Sequence, residues 1–259
     1  MIAILAYHSI DGGRSVLSIS PGIFAEQMKF LHEAQIKVIC LSDVPHGIGT
    51  YSHPANSVVI TFDDGFKNVY EHALPILGSY GFPATVFPVT DYCEKTNSWP
   101  GQTLTLDREP LLRWTEIQEM SRAGMSFGSH TRTHPNLKHL SIQEAEEELV
   151  GSKKIIAETI GRPVDTLAYP YGAYNVAVRN LASRHFRLAC STDLGFVKEE
   201  SDLFALERIE MYYFRSPVLF RRLFSPVTGA YVGLRKQLRR LRGLQQETQL
   251  RRTTTASER

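Results

Sequence analysis

Cysteine is scarce. The 259-residue sequence holds three, Cys40, Cys93 and Cys190, far apart and without the short paired spacings of metal-binding motifs. An odd, scattered set argues against a disulfide framework. Long apolar runs are missing too, and none approaches the ~20 residues that cross a bilayer. The start, Met1 to His8, has no basic region or small-residue cleavage site and reads as a buried strand. No secretion signal is expected from it, and a cytoplasmic location is. Internal repeats are absent. Strong charge of one sign is absent as well: the net charge is +2, with 42% hydrophobic and 22% charged residues. That balance excludes disorder for the bulk of the chain and does not describe a nucleic-acid binder. The length suits one large domain, and α/β barrels commonly fall in this range.

The small net charge hides an asymmetry. Residues 229–259 hold eight Lys/Arg and two Glu, a net of +6, which leaves the first 228 residues at −4. The expected division is a catalytic domain over 1–228 and a tail over 229–259. Within 230–244, Tyr231, Leu234, Leu238 and Leu241 form one helical stripe while Arg235, Lys236, Arg239, Arg240 and Arg242 fill other faces. Such a segment reads either as a solvated terminal helix or as a peripheral anchor on anionic lipid, which would place the protein at the inner face of a membrane. Residues 251–259 read as disordered.

Through the body, apolar runs alternate with amphipathic stretches. Strands are expected at Ile2–Tyr7, Lys37–Leu41, Ser57–Phe62, Ala84–Val89, Met125–Gly128, Thr166–Ala168 and Arg187–Cys190. Helices are expected after Ser20-Pro21, over 67–79, over Thr115–Ala123, after Ser141 with Glu144 as its capping box, and over 175–184. A polar and aromatic loop of about twenty residues that includes Trp99-Pro100-Gly101 follows Val89. Repeated βα units imply parallel strands with right-handed crossovers, in a barrel or an open sheet, and with chemistry at the carboxyl ends of the strands.

Polar motifs cluster at those ends. Thr61-Phe62-Asp63-Asp64-Gly65 puts two acids where a buried strand gives way to a helix. Helix capping needs only one of them. Two adjacent acids repel, which is tolerable when one binds a cation and the other works as a base. In Ser129-His130-Thr131-Arg132-Thr133-His134-Pro135, Pro135 disfavours helical geometry at His134, so the two histidines belong on a loop. One Asp with two His would leave positions open for water and substrate, as in hydrolytic zinc centres. Tyr169-Pro170-Tyr171-Gly172 reads as a turn after a strand, where a backbone N–H could face a developing oxyanion.

In this order, Thr61–Gly65, Ser129–His134 and Tyr169–Gly172 resemble the first three motifs of polysaccharide deacetylases, the carbohydrate esterase family 4 or NodB-homology group. The resemblance covers roughly residues 1–215. It implies an α/β fold, a distorted (β/α) barrel of the NodB type. It also implies metal-dependent removal of N-acetyl groups from GlcNAc-containing glycans, polymeric or lipid-linked, in cell-surface or exopolysaccharide metabolism. The partner implied is an N-acetylated glycan, and the cofactor a divalent metal, Zn2+ first, with Co2+ or Ni2+ as alternatives. Carried over, Asp63 resembles the general base and Asp64, His130 and His134 the metal ligands. Tyr171 resembles the residue whose backbone N–H faces the oxyanion.

Two departures stand out. The family's third motif usually begins with an Arg that orients the base, and Ala168 occupies that place. The late motifs, including the histidine that supplies the general acid, have no match after residue 185. His8, in Leu5-Ala6-Tyr7-His8-Ser9, is the substitute. A Tyr-His-Ser entry strand resembles the poly-N-acetylglucosamine subgroup, whose motif order is circularly permuted. Read without that resemblance, His8 is more readily a satisfied core histidine than an acid. Arg208, in Leu206-Glu207-Arg208-Ile209, is the candidate for the missing Arg. The rival readings are an O-acetyl esterase or aminosugar deformylase on the same scaffold, and a non-catalytic glycan-binding module.

Overall fold

The computed structural model describes residues 1–13, 15–44, 56–102 and 108–239. Its framework is a parallel sheet curled into a ring. β1 (Ile2–Tyr7) runs beside β3 (Ser57–Asp64) on one side and β8 (Leu206–Glu210) on the other. From β3 the ring passes through β4 (Thr85–Pro88) to β5 (Ser126–Phe127), and from β8 through β7 (Leu188–Leu194) to β6 (Thr166–Ala168). β2 (Lys37–Val38) pairs only with the first residues of β3, below the part that β4 occupies.

The ends of this path meet at one bridge, Ser129 with Leu167, where Ser129 N–H donates to Thr166 O and Ala168 N–H donates to Ser129 O, at 2.9 and 3.0 Å. The expected distorted barrel is therefore what forms, with a thin seam between β5 and β6.

Both faces of a parallel strand are buried, so alternate residues serve two cores. Ala3, Leu5 and Tyr7 of β1, with Val58, Ile60 and Phe62 of β3, point outward under the helices. There α1 (Pro21–Glu33) lays down Phe24, Met28 and Leu31. Ser20 starts α1 by accepting from Ile23 N–H, and Pro21 supplies a preset φ where no N–H is needed. Ile2, Ile4, Val59, Phe87, Ala168 and Leu206 point inward and form an apolar floor.

Two helices cover the far side. The longer one (Ile142–Ile160) begins at the expected Ser141/Glu144 capping box and ends at Gly161, whose φ is +66°. The second (Val176–His185) is capped by Asn175, and Leu149, Val178 and Leu181 share a third cluster with Leu167 and Tyr169.

Three segments differ from the sequence reading. The helix expected over 67–79 opens as a wide π turn, Val69–Ala73, in which Leu74 N–H reaches Val69 O, and only then becomes an α-helix (Leu74–Tyr80). Pro75 has no N–H, and its ring would crowd the carbonyl four residues back, so a wider turn suits that position. The strand expected over Lys37–Leu41 stops at Val38, and the chain turns through Leu41–Asp43. The boundary expected at 228/229 falls inside a helical segment, residues 226–239, whose Val232 is buried in the main core. Leu241 and residues 251–259 lie outside the described residues. All three cysteines are free, as expected.

Gly128 stands at the seam, and a Cβ there would run into the Phe87 ring and Thr166 Oγ1. Gly128→Ala should destabilise the fold by about 1–3 kcal/mol, as overpacking does. The check is a lower urea midpoint at unchanged slope; an unmoved midpoint would show that the seam yields without cost.

Candidate active site

The inward rows of three neighbouring strands change from apolar to polar as they rise. β3 passes from Val59 through Thr61 to Asp63, and β8 from Leu206 to Arg208. In the β1 row, Ile2 and Ile4 lead towards His8 just past the strand's end. The two-residue alternation of strands thus carries the apolar floor upward into a polar site at the carboxyl rim.

Asp63 and Arg208 meet across this interior in a bidentate pair, Nη1 to Oδ1 at 2.7 Å and Nη2 to Oδ2 at 2.6 Å, both side chains almost fully buried. Arg208 Nε donates to Ser191 O at 2.9 Å, which fixes the fork from behind. Burial alone would raise the Asp63 carboxyl, but the guanidinium outweighs it and holds the acid well below the usual carboxylate range. The stabilisation from this depressed pKa is present above the ordinary carboxylate range and is lost only as pH falls through the folded-state value.

Asp64 follows immediately, yet its carboxylate joins a different group. Its φ is +69°, so the strand ends there in a left-handed turn. Asp64 Oδ1 lies 3.4 Å from His130 Nε2 and 3.4 Å from His134 Nε2. The three buried residues form the cation-type cluster found among the described residues, with ligand atoms within 4.8 Å of one another. His130 Nδ1 is 2.7 Å from Ala168 O, a contact that only a protonated Nδ1 satisfies, so Nε2 turns its lone pair toward Asp64 in the neutral ring.

Burial pushes the His134 imidazole down to about 3, which keeps that ring neutral. Burial would also lower His130, but its bond to Asp64 holds it above the ordinary histidine value. Acceptor atoms converging on one point, in a setting that draws positive charge, fit a divalent cation with nitrogen and oxygen ligands.

The surroundings hold these ligands in place. Of the six non-glycine residues with positive φ among those described, Asp64, Thr131, His134 and Tyr171 belong to this site. Such conformations cost energy and persist where the surroundings over-determine them. Glu148, on the Ile142–Ile160 helix, does much of this: it accepts from Arg132 N–H at 2.7 Å, Thr133 N–H at 2.9 Å and the Thr133 hydroxyl at 2.7 Å. Asp91 pairs with the Arg132 guanidinium at 2.9 Å. Thr131 Oγ1 accepts from His134 N–H at 3.0 Å. The His134 ring is packed between Trp99 and Tyr171, each with its ring centroid 4.5 Å away.

His8 stands between two carboxylates. Its Nε2 is 3.9 Å from Asp63 Oδ2 and its Nδ1 is 4.0 Å from Glu210 Oε1. All six expected site residues, His8, Asp63, Asp64, His130, His134 and Tyr171, therefore gather at one rim, and Arg208 faces Asp63 there. Sequence reasoning missed Glu148 and Glu210 and saw Trp99 only as part of a loop. Glu148 sits in the acidic run Glu146-Glu147-Glu148, which reads as a solvated helix face. Only the fold turns it onto the histidine loop.

Comparison with known proteins places this geometry. The family model described as polysaccharide deacetylase matches residues 50–186. YxkH of Bacillus subtilis, named for the same family, is 27% identical over 212 residues, 81% of this chain and 71% of that one. The poly-beta-1,6-N-acetyl-D-glucosamine N-deacetylase of Staphylococcus aureus is 31% identical over 167 residues. That match covers 61% of this chain and 55% of the staphylococcal enzyme, so the chain spans little more than half of that relative's length. Among solved structures, the Streptococcus pyogenes deacetylase PplD in complex with acetate superposes with a TM-score of 0.74 at 28% identity, over 84% of this chain and 95% of that one. The chain belongs to the polysaccharide deacetylase family.

Because Glu148 holds the loop between two candidate ligands, Glu148→Ala should weaken zinc binding about 10–100-fold, as loss of an outer partner does. Competition against a chelator dye reads this directly. Glu148→Gln, which keeps one acceptor oxygen, should recover part of the loss, and equal affinity in all three proteins would show that the loop holds without Glu148.

Proposed function

We propose that the chain is a metal-dependent deacetylase that removes N-acetyl groups from GlcNAc-containing glycans. The observation that carries this is the pairing of adjacent acids into separate environments: Asp63 locked to Arg208, and Asp64 facing His130 and His134. Simple sugar binding has no use for that division. The staphylococcal relative's name supports a β-1,6-linked N-acetylglucosamine polymer as the substrate class.

Asp64, His130 and His134 would hold the ion, with Zn2+ the first choice for an imidazole and carboxylate set. Bound there, a divalent cation would supply Lewis acidity to the acetamide carbonyl and acidity to a nearby water. Asp63, kept ionised by Arg208, accepts the proton of the attacking water. The backbone N–H of Tyr171, in its left-handed turn, faces the oxyanion that develops on the carbonyl. His8 gives a proton to the sugar nitrogen as the C–N bond breaks, so that the amine leaves neutral with acetate as co-product. Arg208 thereby does the work of an orienting arginine from β8 rather than from the end of β6.

The test is acetate release from N-acetylglucosamine oligomers by protein stripped of metal and resupplied with zinc or cobalt. Asp63→Asn should cut turnover by about 10²–10⁴-fold with metal content unchanged, the range of general-base catalysis. Loss of metal in that variant would reverse the roles of the two acids. Turnover that survives His8→Ala would remove His8 as the acid. Formate released from a formylated aminosugar, with no acetate from any oligomer, would favour the deformylase reading.

Arg208→Lys keeps the charge but loses the fork. Asp63 should then titrate at a higher pH than in the wild type, and because the base must be ionised, the acid limb of the kcat/KM profile should move upward in pH. An unmoved limb would mean that Asp63 is not the group it reports.

A further inference from the structure

We propose that the helical segment 226–239 and the turn before it form a docking surface for an anionic lipid bilayer. The segment is fixed to the barrel by one face only. Thr228 and Val232 are buried, the Arg235 guanidinium lies over the Tyr213 and Tyr231 rings, and Arg239 donates to Thr192 O at 3.1 Å. The opposite face carries Val227, Leu234 and Leu238, exposed by 62%, 56% and 40%. Their spacing, seven and then four residues, puts them on a single outward stripe.

Tyr212 and Val218, just upstream, are exposed as well, so half of the ten exposed large apolar residues among those described fall within Met211–Arg239. Besides Arg215, Arg235 and Arg239, which bond to or stack on the protein, the same stretch holds Arg221, Arg222 and Lys236 and no Asp or Glu. The sequence adds Arg240 and Arg242 before its next carboxylate, Glu247.

The combination selects the occupant. Exposed aliphatic side chains gain nothing from a nucleic-acid backbone, which is bound through charge. A second copy of the chain would bring two carboxylate-free basic segments face to face, and like charges across an interface repel. An anionic bilayer offers both an acyl boundary for the stripe and phosphates for the flanking cations. This proposal stands apart from the glycan reading and needs none of its residues.

The full chain should co-sediment with vesicles of phosphatidylglycerol and phosphatidylcholine mixed equally, and far less with phosphatidylcholine alone. Leu234→Asp/Leu238→Asp should weaken partitioning about tenfold or more, since two aliphatic side chains lose their burial. Arg221→Glu/Arg222→Glu should weaken only the anionic preference. Both pairs are exposed, so the thermal midpoint should stay close to that of the wild type, which separates lost docking from lost folding. Equal binding to both vesicles, no binding, or unchanged binding in the leucine variant would overturn the proposal. So would a concentration-dependent dimer that the leucine variant dissolves, because the stripe would then be an interface between copies.

Discussion

Asp63 and Arg208 are separated by 145 positions in sequence and meet inside the barrel, across the strand that begins the chain. Burying two charges is costly unless geometry and additional hydrogen bonds compensate, and here the fork is bidentate with its third nitrogen bonded to Ser191 O. The pair thus fixes the separation of β3 and β8 while β1 runs between them. Its position also orders the layers of the interior, with aliphatic side chains below and ionised groups above. Ala168, the last residue of β6, brings no charge to the site, and its carbonyl sets the tautomer of His130. Arg208 thus orients Asp63, while Asp64 faces His130 and His134.

Strain is concentrated where the chemistry is. Asp64, Thr131, His134 and Tyr171 all adopt left-handed backbone that β-branched and bulky residues avoid. Two of them are held from outside their own segment: Thr131 O accepts from Thr90 N–H at 3.3 Å, and the His134 ring lies beside rings from two loops. Glycine would relieve the strain at these positions and would bring neither ligands nor packing.

Much of this was legible in the chain. The βα rhythm and the short buried apolar runs revealed most strands, and the acids and histidines announced themselves because strand ends carry chemistry in such folds. The loop placement of His130 and His134 followed from Pro135, and it holds. Closure of the ring was not legible from element order, since one bridge at Ser129 distinguishes a barrel from an open sheet. Glu148 and Glu210 escaped because a carboxylate in an acidic helix or at a strand end looks solvated until tertiary packing assigns its neighbours. The tail's stripe was visible, but not that Val232, on the opposite face, ties the segment to the core.

The thin seam has a thermodynamic corollary. His130 follows Ser129, whose two backbone bonds complete the wall, whereas Asp64 belongs to the far side of the β4–β5 pair. His130 reaches across the joint through its Nδ1 contact with Ala168 O, so an ion that fixes its ring against Asp64 would favour the closed wall. By linkage, whatever affinity the ion gains from a closed joint it returns as resistance of that joint to opening. Wall breathing and metal retention would then be two readings of one equilibrium.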